Sequence, residues 1–252
     1  MFADYPQEKH IPQLRSLWKE AFEDTDAFLD GFFEYGFSDR RCRCIFDGDV
    51  PVSVLYWFEA AYQNQRFAYL YAVATAKSHR GRGLFSALLE DTKKILTESG
   101  FDGILLHPAT ESLGKMYGKL GFFPCTTVDV HHVCAADQPI EMREIGPVEF
   151  ANLRRSLLPA GGALQEGHTL RFLASQYHFW AGEGWLAVGQ VYDGELVCQE
   201  FLGDRSLLSG LVRALQVGEG TFRTPGKAHP FVWALPLKEG CRLPDYFALA
   251  QD

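Results

Sequence analysis

Lys77, Arg80 and Arg82 stand beside Gly81 and Gly83 in the stretch VATAKSHRGRGLF, residues 73–85, and this mixture suits the holding of an anion. An apolar-periodic segment begins at Leu84 with no Ser, Thr, Asp or Asn directly before it. The amides of Gly81, Arg82, Gly83 and Leu84 therefore lack a side-chain cap, and at the positive end of a helix dipole they suit a phosphate. Glycine lets such a group approach the backbone closely, and the three cations add local charge in an otherwise acidic chain. A water-capped turn with solubilising arginines is the alternative reading. Two familiar nucleotide patterns do not apply: there is no GxxxxGK[ST], and GRGLFS lacks the third glycine of GxGxxG.

A second candidate is Tyr117, in MYGKLGF at residues 116–122. A phenol is protonated at neutral pH and can donate to a leaving group, although an aromatic packed on an amphipathic helix has the same spacing. Glu59, Glu111 and His107 are the candidate proton acceptors, and each has an ordinary surface or structural reading. Gly114 and Gly118 leave one helix face bare, open either to a ligand or to a close neighbour. Cys42 and Cys44, with His131, His132 and Cys134, resemble fragments of a metal site, but alternate strand residues share a face for ordinary reasons, so no metal is expected.

These residues need elements to position them. FAYLYAVAT, residues 67–75, is aromatic and β-branched without charge, as a buried strand is. Leu84, Leu88 and Ile95, flanked by Phe85, Leu89 and Leu96, then recur at helical steps, with Gly100 as the stop. FDGILLH, residues 101–107, reads as the next strand, residues 113–120 as a helix stopped by Gly121, and residues 126–133 as a further strand.

Arg80-Gly81-Arg82-Gly83-Leu84-Phe85 resembles the acyl-CoA signature RxxGxG/A of the GCN5-related N-acetyltransferases, the GNAT family, with Phe85 where that pattern has a small residue. Met116 to Phe122 looks like the family's later (F/L)YxKxGF segment. The resemblance covers residues 1–135. It implies an α/β fold with a mixed central sheet flanked by helices, and acetyl-CoA as co-substrate in a V-shaped opening between the strands at 67–75 and 101–107. It also implies pantetheine pairing near Val73 and Thr75, pyrophosphate on Arg80 to Phe85, direct attack by an amine, and Tyr117 as general acid to the departing thiolate.

A formal charge of -8 argues against a nucleic-acid or anionic-membrane surface and favours a cationic acceptor. No charged-then-apolar leader and no membrane-length run are present in the sequence, and six cysteines without a CxxC pair read as reduced thiols of a cytoplasmic protein. The oligomeric state stays open, a homodimer included.

CAADQP, residues 134–139, breaks the pattern, which divides the chain into domains at 1–135 and 136–252. The second echoes the first. Leu14-Arg15-Ser16-Leu17 returns as Leu153-Arg154-Arg155-Ser156-Leu157, and the turn Phe46-Asp47-Gly48-Asp49 as Tyr192-Asp193-Gly194-Glu195. The expectation is a smaller, degenerate GNAT-like α/β domain. Asp204 places a negative charge where its phosphate turn would lie, so this half is expected to bind no acyl-CoA and to wall the acceptor pocket. Phe179, Trp180 and Trp185 are candidate lining, with that domain's own core as their competing role.

The sequence thus points to an N-acetyltransferase acting on a small-molecule or peptide amine. A non-catalytic acyl-CoA-binding regulatory module is the alternative.

Overall fold

A computed structural model describes residues 1–250. Its strands are, in chain order, β1 (Phe2–Asp4), β2 (Cys42–Asp47), β3 (Val50–Tyr62), β4 (Gln65–Thr75), β5 (Gly103–Leu106), β6 (Phe123–Pro124), β7 (Thr127–Cys134) and β8 (Arg143–Glu144). β9 (Leu164–Gln165), β10 (His178–Gly182), β11 (Trp185–Tyr192), β12 (Glu195–Leu202), β13 (Glu219–Pro225), β14 (His229–Pro230) and β15 (Trp233–Pro236) follow. The α-helices are α1 (Ile11–Phe22), α2 (Asp26–Gly31), α3 (Leu84–Glu98), α4 (Glu111–Lys119), α5 (Pro147–Leu157), α6 (His168–Gln176) and α7 (Leu208–Ala214).

The uncharged run expected as a strand is the inner part of β4. Phe67, Ala68, Tyr69 and Leu70 are buried, covered on one face by α3 and on the other by a core shared with the second half. The first sheet runs β1-β2-β3-β4-β5-β15-β6, with β9 added beside β3. β4 and β5 are parallel, and every other neighbouring pair in this sheet is antiparallel. Their pairing covers only Phe67↔Gly103, Ala68↔Ile104 and Tyr69↔Leu105. Beyond Tyr69 the strands part, which leaves the last turn of β4 with an open edge.

The second sheet runs β14-β7-β13-β12-β11-β10-β8, again with one parallel pair, β12 and β13. The echo in sequence is an echo in structure. Leu14 and Leu17 lie on α1 and Leu153 and Leu157 on α5, while the two Asp-Gly turns join β2 to β3 and β11 to β12.

The sheets do not follow the order of the chain. β7 leaves the first half and pairs with β13 from Val128↔Pro225 to Cys134↔Glu219. In return, β15 enters the first sheet between β5 and β6. A cut at 135/136 therefore separates the halves along the chain but not in space. One apolar core spans both: Phe58 stacks on Phe172 at 5.8 Å, and Tyr69 packs on Phe247 at 4.8 Å.

Two polar devices are buried here, the first bracing the second half from within and the second reaching across to the first half. The Arg154 guanidinium on α5, 1% exposed at the side chain, donates to both oxygens of the fully buried Glu200 on β12 (2.6 and 3.0 Å) and to the Ala163 carbonyl (3.1 Å). Residues 246–250 run through the interface, where Gln165 Nε2 donates to the Leu249 carbonyl (2.7 Å) and the Tyr69 hydroxyl to the Ala250 carbonyl (2.6 Å).

Exchanged strands leave neither half a complete sheet of its own, so urea unfolding followed by tryptophan fluorescence and by far-UV circular dichroism should give one coincident transition. Arg154→Ala strands a buried carboxylate and should lower stability by about 3–5 kcal/mol, whereas Arg154→Met combined with Glu200→Leu should cost much less. Equal losses in the two variants would show that the pair is not the source of the effect.

Candidate functional site

The uncapped helix start is present as the sequence implies. Gly83 occupies the N-cap of α3 at φ +72° with no side-chain cap, and Gly81 lies at φ +74°. A Cβ on either glycine would meet nothing within 4 Å, so backbone conformation rather than space requires glycine here. The first helical hydrogen bond runs from Ala87 N–H to the Gly83 carbonyl (3.1 Å). Among the described residues, the amides from Gly81 to Ser86 find no acceptor. No acidic residue occupies the first turn of α3. Two cations are held over this turn: Arg80 Nε donates to the Thr75 carbonyl (2.9 Å), and Arg82 Nη2 to the Ser78 carbonyl (2.9 Å). The exposed amides and the two guanidiniums held at this loop offer donors and positive charge of the kind that suits an anion.

The open edge of β4 leads from this turn into a cavity of about 470 Å³, lined by Tyr69 to Val73 on one side and by Leu106, His107 and Tyr117 on the other. The strand is bulged here. Val54 pairs with Ala74 and Tyr56 with Tyr71, so Leu55 alone faces both Ala72 and Val73. Ala72 takes φ +48°, a left-handed conformation that a residue with a Cβ adopts at a cost. The bulge puts Ala72 and Val73 together on the cavity wall, where a regular strand would alternate them. Thr75 does not line the cavity. Its hydroxyl bonds Ser53 Oγ (2.8 Å) and its carbonyl holds Arg80, so its part is to position the loop.

Tyr117 is 7% exposed and lies at the cavity wall, and its hydroxyl has no hydrogen-bond partner among the described residues. Burial pushes its pKa up to about 12, which keeps the phenol protonated. α4, which carries it, starts at Thr110, whose hydroxyl caps the Leu113 amide (3.2 Å). Phe85 explains its own departure from the small residue of the acyl-CoA pattern: its ring packs edge-on against Tyr117 at 5.9 Å and so fixes the phenol rather than crowding the turn. The bare face made by Gly114 and Gly118 receives the Trp233 indole of β15, which a Cβ on either would meet at 3.3 and 3.6 Å. Close packing on the indole favours glycine at 114, while a Cβ at 118 would make an ordinary contact.

Of the three candidate proton acceptors, only His107 reaches the cavity. Its Nδ1 donates to the Phe231 carbonyl (2.9 Å), which is an acceptor only. Glu59 instead pairs with Arg66 (3.1 Å) and Glu111 with Lys115 (2.7 Å), both away from the cavity. Asp24, which the sequence did not single out, lines the cavity and accepts from Trp18 Nε1 (2.8 Å). It follows Glu23, the left-handed C-cap of α1, and precedes Thr25, the N-cap of α2. That helix–cap–helix punctuation marks a tight corner in sequence, but nothing local says what the corner faces.

Of the two roles the sequence offered for Phe179, Trp180 and Trp185, the structure takes the core one. Phe179, Trp180 and Trp185 are 2–4% exposed core residues away from the cavity, because β10 and β11 turn these rings into the two cores. The second half walls the cavity through Tyr177 and Ala250. In that half, the helical segment corresponding to α3 starts at Asp204, whose carboxylate caps the Ser206 amide (2.9 Å). The gap beyond the β12–β13 pairing is bridged by Arg223, which reaches Gln199 Oε1 (2.7 Å) and the Ala248 carbonyl (2.9 Å). The six cysteines are free thiols. Among the described residues, no group of three or more His, Cys, Asp or Glu is placed to hold a metal ion, and no helix is long and apolar enough to cross a membrane.

Residues 3–125 match the family model of an acetyltransferase (GNAT) domain. The chain is 27% identical over 124 residues to the N-alpha-acetyltransferase MAK3 of Arabidopsis thaliana, an overlap of 48% of this chain and 65% of that protein, so it spans just under two thirds of the curated relative. Solved structures with the same fold cover nearly the whole chain. A GCN5-related N-acetyltransferase from Anabaena variabilis superposes with a TM-score of 0.73 at 13% identity, over 94% of this chain and 73% of that one. One from Kribbella flavida gives 0.70 at 15% identity, over 94% and 72%. A tandem GNAT protein from the clavulanic acid biosynthesis pathway gives 0.58 at 10%, over 95% and 100%, which extends the likeness to both halves.

The buried phenol has a direct spectroscopic consequence. Subtracting the alkaline absorbance titration of Tyr117→Phe from that of the unaltered protein should leave a tyrosinate step centred near pH 12. A step near pH 10 would mean that the ring is solvated.

Proposed function

We propose that this chain, whose N-terminal half belongs to the GNAT acetyltransferases, transfers the acetyl group of acetyl-CoA to a primary amine by direct attack. The observation that carries this reading is the run of unpartnered amides from Gly81 to Ser86, opening beside the splayed edge of β4. Its roles divide along the cavity. Gly81, Gly83, Leu84 and Phe85 offer amides to the pyrophosphate, with Arg80 and Arg82 supplying charge. The pantetheine arm lies along β4 near Val73, and the bulge at Ala72–Val73 directs backbone polarity toward the thioester carbonyl.

The neutral amine nitrogen attacks the carbonyl carbon, forming the C–N bond as the C–S bond breaks and the electron pair passes to sulfur. The ammonium loses one proton before attack, and that proton is the one released; Tyr117 donates its proton to sulfur as charge develops and regains one from the acylated nitrogen, leaving an amide and coenzyme A thiol. Burial that raises the phenol's pKa keeps it in the protonated form at the start of the reaction. The capped helix start at Asp204 and the bridged gap at Arg223 support a structural rather than acyl-CoA-binding role for the second half, with the domains divided at 135/136 apart from their exchanged strands. Free thiols throughout are in keeping with a reducing cytoplasm.

Titration calorimetry tests the binding half of this reading. Arg80→Glu with Arg82→Glu should weaken coenzyme A at least about tenfold, or 1.4 kcal/mol. Unchanged affinity would remove the pyrophosphate site. Tyr117→Phe should lower kcat by about tenfold to a hundredfold while sparing the KM for acetyl-CoA. Tight coenzyme A binding with no thiol release across a broad amine panel would instead identify a non-catalytic acyl-CoA-binding module.

A further inference from the structure

The acceptor side of the cavity has an unusual balance of charge and surface. Among the described residues lining it, Asp24 is the single Asp, Glu, Lys or Arg. Trp18 Nε1 fixes one carboxylate oxygen at 2.8 Å, and the other oxygen accepts no hydrogen bond among the described residues. Around this charge the wall is aromatic. Trp18 packs against Phe22, Phe28 and Tyr71 with ring centroids 5.7 to 6.2 Å apart, and Tyr177 closes the wall from the second half.

We propose that the acceptor is a compact monoamine: one primary ammonium, recognised by Asp24, on an apolar or aromatic body that fills the ring-lined wall. The inference rests on the acyl-transfer reading above and narrows its substrate class. One fixed carboxylate neutralises one ammonium, and the faces of the surrounding rings add cation–π attraction for that same charge. A second ammonium would be desolvated against rings with no further acidic partner among the described lining residues. The volume points the same way. About 470 Å³ must hold the thioester end of the arm as well as the acceptor, which excludes a bulky polycation from the enclosed part. Glu59 and Glu111, the acidic candidates the sequence offered, are committed to Arg66 and Lys115 outside the cavity.

The test uses the full chain with acetyl-CoA and reads thiol release from 2-phenylethylamine, isoamylamine, 1,4-diaminobutane, spermidine and kanamycin. The monoamines should exceed the diamine in kcat/KM by about tenfold or more, the range a single mismatched pocket contact supplies. Preference for the diamine, spermidine or kanamycin would overturn this assignment and leave acyl transfer standing. Thiol release from no amine would overturn the acyl-transfer reading, and this assignment with it. Asp24→Asn keeps an acceptor for the Trp18 N–H, and should raise the KM for 2-phenylethylamine about tenfold or more without changing that for acetyl-CoA. An unchanged amine KM would refute the role of Asp24. Phe22→Glu, at a side chain 41% exposed, adds a second carboxylate near the mouth and should shift the ratio toward 1,4-diaminobutane. No shift would show that carboxylate count does not set the selectivity.

Discussion

The parting of β4 from β5 after Tyr69 is the constraint on which the site depends. Parallel strands that stayed in register would satisfy one another's backbone groups and leave no opening. Here the pairing stops after three residue pairs, and Leu70 to Val73 face a cavity instead of a neighbour. The divergence is stable because β5 is not left as an edge. β15 pairs along its far side from Leu106↔Trp233 to Gly103↔Pro236, so β5 keeps a ladder while it turns away from β4. Gly103 sets where the strands begin in contact, since a Cβ there would lie 2.9 Å from the Phe67 ring.

From that parting follow the positions of everything else in the site. The strand carries the bulge at Ala72 and ends at Thr75, whose carbonyl steers Arg80 over the start of α3. On the opposite wall, α4 presents Tyr117 because Trp233, itself on the exchanged strand, fills the glycine face behind it. Phe85 then closes the contact between α3 and α4 through its ring on Tyr117. The same strand exchange that joins the halves thus supports both the opening and the phenol. The corresponding region of the second half departs in two details, a capped helix start at Asp204 and a gap spanned by Arg223.

Much of this was legible in local pattern. The strand at 67–75, the helix after Gly83 and the Tyr117 helix each rest on periodicity and caps within a dozen residues, and so does the pairing of the Asp-Gly hairpins in the two halves. The expected role of Phe85 changed, because a ring at the second helical position has room to turn onto α4, which only the packed helices show. Glu59 and Glu111 were drawn as candidates by residue type alone, and neighbouring cations claim them. Phe179, Trp180 and Trp185 were read as lining or core, and the direction in which their strands face decides for core.

The sequence by itself determined the uncapped, glycine-rich turn before α3, because a helix start without a capping residue, two glycines and adjacent arginines are properties of consecutive residues. It also determined the family of the N-terminal half through the Arg80 and Tyr117 segments taken together. Only the tertiary structure decided which half owns which strand, what packs on the Gly114–Gly118 face, and that Asp24, Trp18 and Tyr177 meet beside Val73. Those groups come from three separate parts of the chain. No local periodicity encodes their meeting, since it depends on long-range strand pairing and on the core that the two halves bury between them.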